Sequence, residues 1–272
     1  MNQQFGGWNK VAERLREIAD SRAIDLNDGQ VASLREIAKR LPNNGVIIAD
    51  EVGMGKTRIA ASVANAVIAA GGRVAILVPP GLGYQWGDEL RNAGVDAPLI
   101  LRSLLQYLKG WENKKKPAPW FQESTLVISH SFTNWRLSEN AVPWRWSLLP
   151  AVLKLLTKEA RKSGRVRVGT NSDKFDHRID AAAQSIFKEG PKDKLQSLLD
   201  NEVINQWGDD SPLFEPANYT KETEFRSALE RVVGAGLGIF DLIIIDEAHK
   251  SRGPDSGLNR LIAKVVGSIT RF

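Results

Sequence analysis

The sequence predicts an α/β fold, a mainly parallel sheet flanked by helices, with a mostly helical insertion at about 133–238. Three observations predict it. Short, continuously apolar runs alternate with helical patterning, as in parallel strands buried on both faces. A glycine-rich turn joins one such run to an apolar helix, and the last run ends in two adjacent acids.

The elements follow in order. Val11, Ala12, Leu15, Ile18 and Ala19 fall on one face of a helix over 9–20. Turn chemistry at Asn27-Asp28-Gly29 introduces a second helix carrying Val31, Leu34, Ile37, Ala38 and Leu41, and Pro42-Asn43-Asn44-Gly45 ends it. The run Val46-Ile47-Ile48-Ala49, the glycine turn and a helix from Thr57 to about Ala70 make a strand–loop–helix unit. Further strands are expected at Val74–Val78, Pro98–Leu101, Leu126–Ser129 and Leu242–Ile245. Between 133 and 238 the rhythm changes to helical patterns at Ala151–Lys162, Lys192–Trp207 and Thr223–Val233.

Composition bounds the chemistry. With 272 residues the chain has room for one large domain or two small ones. It contains no cysteine, which removes disulfides and thiolate chemistry and is compatible with a cytoplasmic location. His130, His177 and His249 lie far apart in the chain, against a structural zinc site. There is no apolar run of membrane-spanning length, and the first residues lack the basic and apolar regions of a secretory signal. A formal charge of +5 and a pI near 9.4 are compatible with a polyanionic partner.

The turn Ala49-Asp50-Glu51-Val52-Gly53-Met54-Gly55-Lys56-Thr57 has the context a phosphate loop requires. Gly53 and Gly55 let the backbone curl so that its N–H groups converge, and the following helix aims its positive end at the same place. Lys56 reaches β- and γ-phosphates, and the Thr57 hydroxyl is a ligand for Mg²⁺. The strict pattern G-x-x-x-x-G-K-[ST] is not met, because Asp50 replaces its first glycine. The alternative is a glycine-rich turn with an incidental lysine.

The run Leu242-Ile243-Ile244-Ile245 finishes in Asp246-Glu247-Ala248-His249. In a parallel sheet both acids then lie at the carboxyl edge, where ligands bind. Asp246 is the candidate holder of Mg²⁺ through water, and Glu247 the candidate that orients or deprotonates an attacking water. His249 is a candidate coupling residue. The alternative is an acidic helix start, where such residues are favoured anyway.

Together these segments resemble motifs I and II of superfamily 2 helicase-like ATPases, the second in its DEAH form. The Asp-Glu-x-Gly-x-Gly-Lys-Thr variant resembles the Swi/Snf branch, including bacterial RapA-like enzymes. Leu26-Asn27-Asp28-Gly29-Gln30 is similar to the segment carrying the family's adenine-reading glutamine, here Gln30. Val78-Pro79-Pro80-Gly81-Leu82-Gly83-Tyr84-Gln85-Trp86 with Glu89-Leu90 resembles motif Ia, and Leu126 to Phe132 resembles motif Ib. The likeness runs from about residue 24 to 135 and again from 239 to 253, leaving the insertion uncovered.

The resemblance implies a RecA-like P-loop NTPase domain that uses ATP and Mg²⁺, divided as an N-terminal helix over 1–23 and an ATP-binding lobe over 24–272. It implies a nucleotide site of Gln30, Asp50, Glu51, Val52, Gly53, Met54, Gly55, Lys56 and Thr57. Lys56, Asp246 and Glu247 would be catalytic, and Thr57 and Asp246 would hold the metal. It implies a DNA-dependent ATPase or translocase, double-stranded DNA as the partner, and Gln85, Trp86, Ser129, His130 and Ser131 on or near the DNA face. Burial habit assigns Trp86 to packing instead. His130 reads equally as a satisfied strand-end residue, and Gln30 as a surface glutamine.

Two features fall outside the motifs. Lys154, Lys158, Arg161, Lys162, Arg165 and Arg167 stand against a single acid, Glu159, over 151–169, as a phosphate-binding cluster or a solvated helix face. Trp135, Trp144 and Trp146 suit either base stacking or a packing anchor, the anchor being favoured. The family adds a motif III strand between the strands of motifs I and II, then a second lobe with arginine fingers worth roughly 10³–10⁵ in rate. The chain is therefore expected to be a fragment that requires that lobe in cis or in trans. The competing expectations are a non-motor P-loop ATPase or switch acting through protein partners, and a nucleic-acid-binding module with a degenerate nucleotide site.

Overall fold

A computed structural model describes residues 4–21, 25–49, 54–96, 100–112, 119–137, 145–162, 176–200, 211–220, 223–251, 253 and 256–267. Three parallel strands form an open sheet of order β2-β1-β3: β1 Val74–Val78, β2 Thr125–Ser129 and β3 Leu242–Ile245. In register, Val74 pairs with Thr125 on one side and Leu242 on the other. All five residues of β1 are buried, which explains their unbroken apolar run. Leu101 forms a single parallel bridge beyond β2, through Leu101 N–H to the Val127 carbonyl at 2.8 Å and Ser129 N–H to the Leu101 carbonyl at 2.9 Å. The expected strand at 98–101 is thus this one bridge, with Pro98 and Leu99 outside the described residues.

Alternation along the strands sends side chains to two separate cores. Val74, Ile76, Val78 and Val127 join a core built with α1 (Trp8–Ser21), α2 (Asp28–Arg40), α3 (Lys56–Ala69) and α4 (Gly83–Asn92). On α1 the buried residues are Val11, Ala12, Leu15 and Ala19, the face that the spacing predicts. Ala75, Leu77, Leu126 and Ile128 join the other core. Its cover includes α5 (Leu104–Gly110), α6 (Pro119–Gln122), α7 (Leu148–Lys162), α8 (His177–Glu189), α9 (Lys192–Gln196), α10 (Glu224–Leu237) and α11 (Gly257–Arg260). The described helices of the expected insertion are therefore part of the layer that covers one face of the sheet.

One residue ties the amino ends of the strands. The Arg73 guanidinium donates to the carbonyls of Trp120, Glu123, Leu237 and Ile239 at 2.7–3.0 Å, and its N–H donates to Asp241 Oδ2 at 2.9 Å. Burial lowers its pKa to about 10, opposed by the charges of Asp241 and Glu123.

The run Val46–Ala49 departs from expectation. It is not a strand, and Ile47 is 92% exposed. Among the described residues no strand pairs with it. Among the described residues β3 is an edge, and all four of its residues are only half-buried. Val46, Ile48, Leu242 and Ile244 nevertheless border the same core.

Candidate functional site

Because the strands are parallel, the residues that follow each of them meet at one edge. Ser129 ends β2 and His130-Ser131 follows it, and Asp246-Glu247 follows β3. The Asp246 N–H donates to the Leu77 carbonyl at 2.9 Å, which carries the ladder one residue past β3. Its carboxylate Oδ2 accepts from Trp86 Nε1 at 2.9 Å. Glu247 has φ +54°, the one non-glycine residue with positive φ among those described. Its carboxylate faces His249 Nδ1 at 3.1 Å, and the turn closes through Lys250 N–H to the Glu247 carbonyl at 2.9 Å. Glu247, His249 and Lys250 are exposed and Asp246 is half-buried, so an acidic, solvent-facing turn caps β3.

The start of α3 is built to have no side chain in the way. Its N-cap is Gly55 at φ +74°, which supplies no side-chain hydrogen bond to the first helical N–H groups. A Cβ there would lie 2.1 Å from Gln30 Nε2, so both the backbone conformation and the space demand glycine. Gln30 is held by a capping box at the start of α2. Its N–H donates to Asn27 Oδ1 at 2.9 Å, and its Oε1 accepts from Asn27 N–H at 3.0 Å. The glutamine is buried against the turn, not displayed on the surface. Lys56 and Thr57 are half-buried in the first turn of α3, and Met54 is 58% exposed. Asp50, Glu51, Val52 and Gly53 lie outside the described residues.

Helix α4 links the first turn of α3 to the acidic turn after β3. Arg58 in the first turn of α3 pairs with Glu89 Oε2 at 3.1 Å, and it also donates to the Asp25 carbonyl at 3.0 Å. Glu89 stands one turn along α4 from Trp86, the residue that holds Asp246. Nothing in the sequence pairs Trp86 with a carboxylate 160 positions away. Glu89 is legible only as a motif position with no evident partner, and the left-handed Glu247 has no sequence signal at all.

The residues expected on a DNA face divide. Gln85 is exposed, as is its neighbour Tyr84 at 72%, with the Arg102 guanidinium 5.2 Å from the Tyr84 ring centre. Trp86 turns inward and is buried. Ser129 and His130 are buried and Ser131 is half-buried. Ser129 Oγ accepts from Ser131 N–H at 3.3 Å and lies 2.9 Å from Ser131 Oγ, capping the short 3-10 turn over 130–133. Burial pushes the His130 imidazole below the usual histidine range, while the nearby Leu77 carbonyl and the charges of Asp246 and Glu247 pull it upward and Lys250 pulls it down. His130 Nε2 is buried without a hydrogen-bond partner among the described residues.

The tryptophans of the expected insertion behave as packing groups where they are described, whereas of the basic cluster Lys154 is half-buried and Lys158 exposed. Trp135 is buried under the Arg226 guanidinium, 4.4 Å from its ring centre, and Trp146 packs on Tyr219 at 5.4 Å. Trp144 lies outside the described residues, as do Arg165, Arg167 and the side chains of Glu159, Arg161 and Lys162.

Compared with known proteins, the chain matches no family model, no curated protein and no solved structure.

Proposed function

We propose that this chain is the ATP-binding lobe of a DNA-dependent ATPase of the helicase-like class, folded as a RecA-like P-loop domain. One observation carries the reading. A glycine-capped helix beginning Lys56-Thr57 and a strand ending Asp246-Glu247 are joined by α4 through Arg58–Glu89 and Trp86–Asp246. A phosphate cradle and an acidic strand end held in one frame are what Mg-nucleotide chemistry requires.

The donor set fits Mg²⁺, a hard cation that keeps several waters and takes few protein oxygens. Thr57 and Asp246 would hold it, and when bound it neutralises charge on the β- and γ-phosphates. Lys56 binds the same phosphates as a point charge. Glu247, exposed beside His249, orients the attacking water and accepts its proton. Gln30, with Nε2 beside Gly55, is within the turn's reach for hydrogen-bonding an adenine edge. The DNA part of the reading rests on the basic balance of the chain and on exposed Tyr84, Gln85 and Arg102.

Binding of a fluorescent ATP analogue to the full chain tests the nucleotide site. Wild type is expected to bind and Lys56→Ala to lose at least about tenfold in affinity, a contribution of about 1.4 kcal/mol. Equal binding by the variant would sink the assignment. In an active assembly Glu247→Gln is expected to keep binding and lose roughly 10²–10⁴ in turnover. Turnover that double-stranded DNA fails to stimulate at any salt would overturn the DNA part alone.

A further inference from the structure

We propose that Trp86 is a positioning residue for the acidic half of this site, fixing the plane of the Asp246 carboxylate so that its Oδ1 faces the metal; the role rests on the ATP reading above. An indole N–H donates and never accepts, and when buried it needs a partner. Trp86 is 2% exposed, and its Nε1 meets Asp246 Oδ2 at 2.9 Å. Among the described residues no other side chain hydrogen-bonds that carboxylate. Among the described residues the indole nitrogens of Trp135 and Trp146, by contrast, are buried without a hydrogen-bond partner. The buried Trp120 indole donates to a backbone carbonyl, that of Tyr107 at 3.1 Å, whereas the Trp86 indole is answered by a side-chain acid, the one that follows β3.

The bond has a mechanical frame behind it. Trp86 and Leu90 anchor α4 in the core below the phosphate turn, and Glu89 on the same helix is pinned to Arg58. The indole therefore cannot swing with the exposed Gln85 beside it. A carboxylate with one oxygen committed to a fixed donor has one oxygen left to present, in a set direction. Groups that orient a metal ligand from behind in this way typically contribute 10–100-fold to metal affinity. A purely packing tryptophan would contribute nothing to metal affinity, and phenylalanine would replace it.

The test is a Mg²⁺ titration of fluorescent ATP analogue binding to the full chain, for wild type, Trp86→Phe and Asp246→Ala. The expected result is that Trp86→Phe matches wild type for the nucleotide without Mg²⁺ yet needs roughly tenfold more Mg²⁺ for half-saturation. Asp246→Ala is expected to lose most of the Mg²⁺ effect. An unchanged Mg²⁺ requirement in a folded Trp86→Phe overturns the positioning role and leaves the ATP reading standing. No nucleotide binding by folded wild type, with or without Mg²⁺, overturns both. Should Trp86→Phe fail to fold, the indole ¹H–¹⁵N resonances of wild type and Asp246→Ala decide. One indole resonance is expected to move upfield and exchange faster in Asp246→Ala, and a spectrum with every indole in place overturns the role.

Discussion

Glu247 occupies a backbone conformation that costs an L-residue roughly 1–2 kcal/mol, and its side chain, half-exposed beside His249, makes no buried contact that would offset it. Strain of this kind at a strand end re-aims a side chain. Replacing Glu247 by glycine is expected to leave stability unchanged or slightly higher, because glycine takes positive φ freely. Glu247→Val is expected to lose about 1–2 kcal/mol. Urea midpoints check both, and a neutral valine would show that the turn simply relaxes. His130 carries a second residue-scale prediction. Its folded pKa is depressed by burial, so the unfolded chain binds a proton first as pH falls. The stability it contributes is complete above about pH 6.5 and is lost as pH falls from there through the folded value, at most about 1.4 kcal/mol per pH unit. His130→Phe is expected to flatten that part of the profile; an unchanged acid slope in the variant would place the proton elsewhere.

At the scale of elements, the glycine cap of α3 and the capping box of α2 form one joint. Gly55→Ala puts a methyl group 2.1 Å from Gln30 Nε2 at φ +74°, so the substitution both strains the turn and displaces the glutamine. A loss of about 1–3 kcal/mol is expected, read as a lower urea midpoint together with weaker nucleotide binding. Full retention of both would mean that Gln30 is not seated against the turn. Helix α10 is fixed to the sheet's carboxyl side by a buried ion cluster. Arg226 donates to Glu230 Oε1 at 2.9 Å and to the Thr133 and Trp135 carbonyls at 2.7 and 3.3 Å, and Arg260 from α11 pairs with the same Glu230. Burial lowers the Arg226 pKa, and Glu230 opposes the fall. Removing Arg226 leaves Glu230 paired with Arg260 but strips the Thr133 and Trp135 carbonyls of their donor and opens a cavity. Arg226→Ala is therefore expected to cost about 2–5 kcal/mol, with Arg226→Met costing less because it refills the space; calorimetric melting measures the difference.

Across the whole molecule the sheet is a partition, with one core on each face and the acidic turn after β3 at its carboxyl edge, tied through α4 to the first turn of α3. The central strands carry that partition, since all five residues of β1 and all five of β2 are buried, whereas Ile47 in the run 46–49 is exposed. Ile47→Lys is expected to change stability by less than about 0.5 kcal/mol, although the same substitution at Ile76 should prevent folding. A large loss at Ile47 by urea denaturation would mean that this run is packed in solution. The prediction separates two isoleucines that look alike in the sequence. Both stand in short apolar runs before turns, and only their positions relative to the sheet distinguish them.

By itself the sequence determined the kind of most elements. The helices α1 to α3, the strands at 74–78 and 242–245 and the glycine cap before Lys56 were legible because local periodicity and turn stereochemistry act over a few residues. The tertiary structure alone decided that Val46–Ala49 is no strand, since a strand exists only where a neighbour accepts its hydrogen bonds. It alone turned the expected insertion into the cover of a sheet face. It also made partners of Trp86 and Asp246, and of Arg58 and Glu89, because contacts between distant segments are set by how layers stack and leave no trace in local spacing.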